Sequence, residues 1–492
     1  MLAVVGAVSA LRLLWLWLQP ADLYPDEAQY WFWAKHPAFG YYSKPPLVAW
    51  LIWLTTDLFG NGEFAVRLSA PLLTAGAALF VYAIGSRLYG RRIGAWAAIV
   101  YVSLPGASVA AWVISTDAPL LLFWAAALYA FIRAREPGGG WRWWLATGIA
   151  AGCGLLAKYA MVYWLVSALG FVLLVPAERP HIRALLLAIG VAILVYMPNL
   201  WWNWENGFVS YRHTTANADL AGTLFHPGQF LEFFGAQFAV FGPLLFAALL
   251  WLAVRPRALG DPRARLLAAF ALPALAMMLC LSILSRAHAN WAAPAYLAAT
   301  VLVVARAFEG GWHRLVSISL ALHIAAAALL FIGPPALAAC GVELPARYDP
   351  LRRLRGWKTL GAEVAAALAA HPGYRLFADD RETLAALIYY VHPHPFAAVK
   401  WDLLDRVGDE WDLTNNMKQH LGGNFLLVAK HDLIAEMRPS FAALAPIGGL
   451  AIPLGPGAAR HYALYLARDF KGYPQYHRPS RPAGAADGTA GR

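Results

Sequence analysis

The sequence predicts an α-helical integral membrane protein that ends in a small soluble α/β domain. Three observations carry this. Only 14% of the 492 residues are charged and 60% are apolar, where a soluble globular domain averages about 25% charged. Apolar windows of about 20 residues, the length that crosses a bilayer core, recur from the N-terminus to about residue 333. Beyond Gly333 charge returns, and short patterns of strand and helix period alternate.

Spanning helices are expected near 2–19, 64–85, 93–112, 117–134, 143–158, 160–177, 182–200, 229–253, 265–284, 289–306 and 313–333, about eleven in all. Only Lys158 and Tyr159 separate the fifth from the sixth. The first reads as an uncleaved helix, since no basic stretch precedes it and no small-residue cleavage site precedes Tyr24. Many of the 22 Trp stand where apolar segments end, among them Trp15, Trp17, Trp141, Trp143, Trp144, Trp201, Trp202 and Trp204. Such rings suit the membrane–water interface.

Charge sets the orientation. The loops bearing Arg87, Arg91, Arg92, Arg133, Arg135, Arg142, Arg179, Arg183, Arg255, Arg257, Arg263, Arg265, Arg306 and Arg314 hold fourteen basic residues, against six (Lys35, Lys44, Arg67, Lys158, Arg212, Arg286) on the alternate loops. The positive-inside rule makes the first set, and the N-terminus, cytoplasmic. The outer loops are then 20–63, 113–117, 158–159, 201–228 and 285–290. The formal charge of +11 is accounted for in this way and does not call for nucleic acid. Cys153, Cys280 and Cys340 are too scattered for a disulfide framework or thiolate cluster and read as small core residues.

The expected organisation is a transmembrane domain over 1–335, with outer loops 20–63 and 201–228, an α/β domain over 345–470 on the outer side, and a disordered tail over 479–492 rich in Pro, Gly and Ala. Within the α/β domain, helices are expected at 357–370, 381–391 and near 431–443, with strands at 374–379, 396–400, 424–429 and 461–467. No internal repeat is visible.

The polar residues of the membrane region gather on the outer loops. Asp26 and Glu27 follow Pro25 directly after the first span. Adjacent acids there are costly unless paired or used; one can take a proton from an acceptor while the other orients it, or both can simply favour a helix N-terminus. Asp117, in Ser115-Thr116-Asp117-Ala118-Pro119, either caps the next helix or shares a site with Asp26 on the same face. Lys44 lies between Tyr41-Tyr42-Ser43 and Pro45-Pro46, which stiffen the backbone; its ammonium either meets a phosphate or snorkels to headgroups. Residues 198–213 set Asn199, Asn203, Asn206, Arg212 and His213 among Trp and Phe, a sugar platform or an aromatic belt. Arg286, His288 and Asn290 add a basic and polar point, and Arg286 suits bidentate contact with a phosphate. No P-loop, dinucleotide-binding glycine pattern or H-E-x-x-H motif occurs.

With these residues in place, the chain resembles the polyprenyl-phosphate-sugar-dependent membrane glycosyltransferases of the GT-C fold, in particular the bacterial branch of family 39 and the aminoarabinose transferases related to protein O-mannosyltransferases. The resemblance rests on DEAQYW at 26–31, GYYSKPPLVAW at 40–50, STDAPL at 115–120, LLAKY at 155–159, PNLWWNWENGFVSYRH at 198–213 and ANWAAPAY at 289–296. It implies transfer of one sugar from a polyprenyl-phosphate donor to a hydroxyl or phosphate of lipid A, core glycan, another lipid or a protein, at the periplasmic face, with inversion.

It implies Asp26 and Asp117 as essential acids, Lys44 near the donor phosphate with Tyr30 and Tyr41 beside it, and His213 near a metal or phosphate contact. The residues themselves add Glu27 to the catalytic acids, Tyr42, Arg286 and Arg212 to the surroundings of the donor phosphate and lipid, and Asn199, Asn203, Asn206, Lys158 and Asn290, with His213, as substrate contacts; Asp26, Glu27 and His213 are the residues that could hold a divalent metal. Two departures stand out. The aminoarabinose transferases have Glu before the lysine, where this chain has Ser43, and Arg before the tyrosine of the first motif, where it has Gln29. The rival readings are a lipid-linked glycan transporter or flippase, which should show inverted repeats or helices broken at mid-membrane, and a whole-glycan ligase.

Overall fold

In a computed structural model of the chain, residues 1–18, 21–217, 224–342, 344–402 and 407–473 are described; the expected tail at 479–492 lies outside them. The chain forms two compact units. One comprises Met1–Gln19 and Lys44–Phe331, the other Pro20–Ser43 and Ile332–Arg492. Residues 20–43, expected as part of an outer loop of the membrane domain, thus fold with the C-terminal unit.

The first unit is a helical bundle. Among the described residues, five helices are long and apolar enough to cross a membrane: Glu63–Tyr89 (with a turn near Leu68), Asp117–Arg135, Pro176–Glu205, Pro262–Leu284 and His313–Phe331. Shorter apolar helices run over Leu2–Leu18, Leu47–Phe59 and Tyr159–Leu174. The helices Gly140–Ala157 and Ile182–Glu205 approach closely at Gly148 and Gly152, where a Cβ would come within 2.4 Å of the Ala188 carbonyl oxygen and 2.5 Å of Val195 Cβ. Small residues four apart let two helices pack backbone to backbone where lipid supplies no hydrophobic drive.

Three expected spans are interrupted. The one at 93–112 breaks between Arg91–Ser103 and Pro105–Ala110, because the residue before a proline is pushed out of helical geometry; Leu104 has ψ 136°. Arg12 meets this break: its Nη2 donates to the Val102 carbonyl (2.7 Å) and to Ser108 Oγ (2.9 Å). The segment expected as one helix at 229–253 is two, Pro227–Val240 and Pro243–Ala253, bent by 115°. Gly242 sits at the corner with φ 91°, and a Cβ there would lie 2.1 Å from His323 Nε2, so only glycine fits. The expected span at 289–306 opens as a single turn, Ala289–Ala292, before Ala295–Glu309. Conversely, the helix expected to end at 200 continues to Glu205, through Pro198.

The arginine-bearing loops converge at one end of the bundle. Arg87 pairs with Glu136 (2.6 Å), Arg263 and Arg306 share Asp261 (2.9 and 3.6 Å), Arg135 pairs with Glu178, and Arg263 Nη1 donates to the Leu88 carbonyl (3.1 Å). Loops grouped by sequence charge therefore do share an end. The cysteines are free; Cys153 is half-buried, but Cys280 and Cys340 are exposed rather than in the core.

The second unit is a five-stranded sheet with strands β1 Arg375–Ala378, β2 Val399–Lys400, β3 Phe425–Ala429, β4 Phe441–Gly455 and β5 Ala458–Phe470, in the order β2-β1-β3-β5-β4. The first three are parallel, and β3-β5 and β4-β5 are antiparallel. Helices Trp357–Ala370 and Arg381–Tyr390 accompany them. Expectation and structure part at 431–443. There only a short helix, Ile434–Met437, forms before β4 begins. Strand β4 carries Pro446, Pro453 and three glycines, which argue against a central strand; it is tolerated because it lies at the sheet edge.

The helix Pro25–Ala34 packs against Arg381–Tyr390. Trp31 meets Tyr389 edge-on (4.9 Å between centroids), Phe32 stacks on Trp411 (5.5 Å), the Leu23 amide donates to Tyr390 Oη (2.6 Å), and Asp22 accepts from the Trp357 amide (2.8 Å). The fully buried indoles Trp31 and Trp33 explain why this stretch is so aromatic: large rings bury apolar area and fix the helix in place.

Candidate active site

In the second unit, Asp26 stands in the first turn of Pro25–Ala34 and remains 40% exposed. Arg381, the first residue of Arg381–Tyr390, donates through Nη1 to Asp26 Oδ1 (2.8 Å) and to Gln29 Oε1. Burial alone would lower the proton affinity of Arg381, but the Asp26 carboxylate outweighs it and holds the guanidinium above its ordinary value. One guanidinium thus aims two residues of one helix face. Glu27 is fully buried and accepts from the Tyr24 amide (2.8 Å), which ties down the helix start.

Tyr30 is buried against Trp33 (5.2 Å), and Tyr41 stacks flat on Trp33 (4.6 Å) with its hydroxyl donating to the Trp33 carbonyl (3.1 Å). Burial pushes the Tyr41 hydroxyl up from its usual range, so it acts as a neutral hydrogen-bonding group. The Tyr42 amide donates to Glu410 Oε2 (2.7 Å). Burial pushes Glu410 up to about 8, although the Tyr42 amide opposes it.

In the first unit, three predicted residues come together from three different loops. Lys158 Nζ donates to Asp117 Oδ1 and Asn290 Nδ2 to Asp117 Oδ2, both at 2.6 Å. Asp117 is buried and opens the helix Asp117–Arg135. The Thr116 side chain caps no amide of this helix; the Asp117 amide donates instead to Ser115 Oγ at 3.2 Å. Lys158 can reach because the chain is extended there (φ −160°) between two helices.

Asp117 and Asn290 also line one wall of a mainly apolar cavity of about 670 Å³, formed chiefly by the broken segment 104–110, the corner at Val240 and Pro243, and Ala326, Ala327 and Leu330. The breaks that disrupted two expected spans therefore shape this space.

The 198–213 stretch divides. Asn199 and Asn203 are fully buried and bonded to each other, Asn203 Nδ2 donating to the Asn199 carbonyl (3.0 Å), so they offer no surface to a sugar. Tyr196 and Tyr211 share a 2.6 Å hydroxyl contact beside them. Asn206 donates to the Trp202 carbonyl (2.8 Å), and His213 Nε2 meets Asn217 Nδ2 (2.9 Å). Arg212 and Arg286 are exposed, and Lys44 is half-buried. Among the described residues no three His, Cys, Asp or Glu side chains gather as metal ligands. Asp26, Glu27 and His213 are each engaged in hydrogen bonds within their own unit.

A helical membrane bundle followed by a small mixed sheet is the architecture of the GT-C membrane glycosyltransferases, and the comparisons with known proteins agree with it. Residues 43–202 match the dolichyl-phosphate-mannose-protein mannosyltransferase family. The chain is 34% identical over 398 residues to the lipid A galacturonosyltransferase RgtD of Rhizobium johnstonii, covering 79% of this chain and 82% of that one. It is 29% identical over 170 residues to an undecaprenyl phosphate-α-4-amino-4-deoxy-L-arabinose arabinosyl transferase of Pseudomonas fluorescens, covering 33% and 30% of the two chains. The crystal structure of ArnT from Cupriavidus metallidurans bound to undecaprenyl phosphate superposes with a TM-score of 0.63 at 15% identity, over 94% of this chain and 97% of that one. The chain belongs to the polyprenyl-phosphate-sugar-dependent membrane glycosyltransferases, and is a membrane-embedded enzyme rather than a transporter.

Sequence reasoning missed Arg381. It lies over 350 residues from Asp26, in the C-terminal domain, where none of the short motifs that carry the resemblance falls. Its one signal was a basic residue opening a predicted helix immediately after Asp379-Asp380.

Proposed function

We propose that the chain moves a single sugar from a polyprenyl-phosphate carrier to a glycolipid of lipid A type at the periplasmic face of a bacterial inner membrane, with galacturonic acid, the sugar of its 34%-identical relative, as the sugar moved. The observation that carries this reading is the apolar cavity walled at one point by Asp117 and Asn290, with Lys158 held on the same acid. An amphiphile with a long apolar tail and a charged head is the ligand such a space suits.

In the reaction, an acceptor oxygen attacks the anomeric carbon as the bond from that carbon to the phosphate oxygen breaks, and the electron pair leaves with polyprenyl phosphate. Asp26, accessible and aimed by Arg381, takes the acceptor proton. Lys44, with Arg212 and Arg286, supplies positive charge to the leaving phosphate. Tyr30, Tyr41 and Tyr42 shape the donor's surroundings, and Asp117 with Lys158 and Asn290 orients the donor head. Glu27 holds the helix start that presents Asp26.

The test is transfer by the purified enzyme from a synthetic polyprenyl-phosphate galacturonate to lipid A, read by mass spectrometry of the lipid. Asp26→Asn should leave a folded protein with transfer reduced by about 10²-fold or more. Near-normal turnover in that variant removes the assigned role.

A further inference from the structure

The second unit holds a cavity that the reaction above does not use. It encloses about 330 Å³, and Tyr24 and Pro25, immediately before Asp26, form part of its wall. Four basic side chains line it, Arg352, Arg353, Lys430 and Arg460, against one acid, Glu382. Lys430 lies 3.7 Å from Asp380 and 3.8 Å from Glu382, so its charge is largely answered within the fold. The three arginines are different. Among the described residues none of them forms an ion pair. Arg353 donates to the Tyr24 hydroxyl (3.1 Å), and Arg460 donates to the Arg355 carbonyl (2.7 Å) and lies 3.8 Å over the Trp357 ring.

Gathering three guanidinium groups and a lysine around a single acid, Glu382, leaves Coulomb repulsion that neutral contacts do not offset. Burial lowers the proton affinity of Arg460 by more than the nearby Asp22 and Glu382 restore. A fixed cluster of this kind is a receptor for anionic oxygens, because the planar fork of arginine matches phosphate and carboxylate in a bidentate way. The volume is at the lower end of small-molecule sites, about 300 Å³. It holds one charged sugar unit and not a folded partner.

We propose that this cavity binds a phosphate or carboxylate group on the acceptor glycolipid, and so delivers the acceptor to the helix turn that carries Asp26. The proposal rests on the transferase reading and adds the acceptor's chemical class: an anionic saccharide headgroup, with the negative charge recognised by Arg352, Arg353 and Arg460. The donor phosphate is not its ligand, and loss of the arginines acts on the acceptor alone.

The experiment compares wild type with Arg352→Gln/Arg353→Gln, using phosphorylated lipid A and enzymatically dephosphorylated lipid A as acceptors, with both donor and acceptor varied. Arg460 is left intact because it braces the backbone at 352–355. Wild type should prefer the phosphorylated acceptor. The double variant should raise its KM by about tenfold or more, the value of one or two charge-assisted contacts, with kcat and the donor KM unchanged and the preference for phosphate lost. Inorganic phosphate at millimolar concentration should compete with lipid A in wild type more than in the variant, which shows whether free phosphate alone is recognised. An increase confined to the donor KM, or equal use of both acceptors by wild type, overturns the proposal. Equilibrium binding of the two lipid A forms to wild type in nanodiscs without donor keeps the test independent of turnover. A retained phosphate preference in an enzyme that transfers nothing would fault the transferase reading and uphold the cavity. If Arg352→Gln/Arg353→Gln misfolds, Arg352→Glu alone, at an exposed position, should give the same acceptor-specific loss.

Discussion

Replacing Arg381 with Gln tests how the active-site acid is aimed. Both partners of the Asp26–Arg381 pair keep more than a third of their side chains exposed, 40% and 37%, at a separation of 2.8 Å. A pair so open to water contributes about 0–1 kcal/mol to stability. The unit is held instead by packing, with Trp31 and Trp33 fully buried and Trp31 against Tyr389. Arg381→Gln should therefore fold with a thermal midpoint close to wild type. Activity should fall much further. The guanidinium fixes the Asp26 carboxylate and the Gln29 amide at once, and a catalytic group misplaced by about 1 Å loses on the order of 10²-fold in rate, or about 2.7 kcal/mol of barrier. Arg381→Lys keeps the charge without the planar fork and should fall between the two. The assay is kcat/KM for transfer to lipid A, with nanodisc-embedded enzyme and melting followed in parallel. A Gln variant that turns over within a factor of about two of wild type would refute the positioning role, and so would one that loses activity only because it melts.

The Asp117–Lys158 pair is of the other kind, with 8% and 18% of the side chains exposed. Removing one partner strands a buried charge, so Asp117→Asn or Lys158→Met should each destabilise the bundle by about 3–5 kcal/mol. The double variant should recover part of that loss in detergent melting while remaining inactive; additive losses would show that the two do not act as a pair. Glu410 makes stability depend on pH. Its ordinary value is 4.5 and its folded value is about 8, so the folded state binds the extra proton, and stability falls as pH rises from about 4.5 and levels off above about 8. Glu410→Gln keeps an acceptor for the Tyr42 amide and should stabilise the protein by a few kcal/mol at pH 8 while changing nothing at pH 4. An equal effect at both pH values would show that the carboxyl does not titrate across that window.

What the sequence could and could not disclose follows from how far each signal travels along the chain. Apolar periodicity and charge bias are local, so the helices, their loops and the shared end of the arginine-bearing loops were legible. The breaks at Leu104-Pro105 and Gly242-Pro243 were written in the sequence as proline and glycine, but an apolar window averages across them, and the cavity they shape was missed. Asp117, Lys158 and Asn290 were each suspected; that two side chains would close on the two oxygens of one acid needed the packing of three helices.

Gln29 shows the limit most clearly. Judged by sequence alone it is the loss of the arginine that the aminoarabinose transferases carry before the tyrosine of the first motif. In the folded chain a guanidinium nevertheless meets this position, supplied by Arg381 from the Arg381–Tyr390 helix and received by the Gln29 amide oxygen. An arginine at position 29 would face Arg381 across Asp26 and repel it, whereas the amide oxygen accepts from it. The substitution at 29 and the arginine at 381 are therefore one arrangement, and exchanging them tests it: Gln29→Arg should impair transfer in the wild-type background and be tolerated with Arg381→Gln. Equal impairment in both backgrounds would show that the two positions are independent.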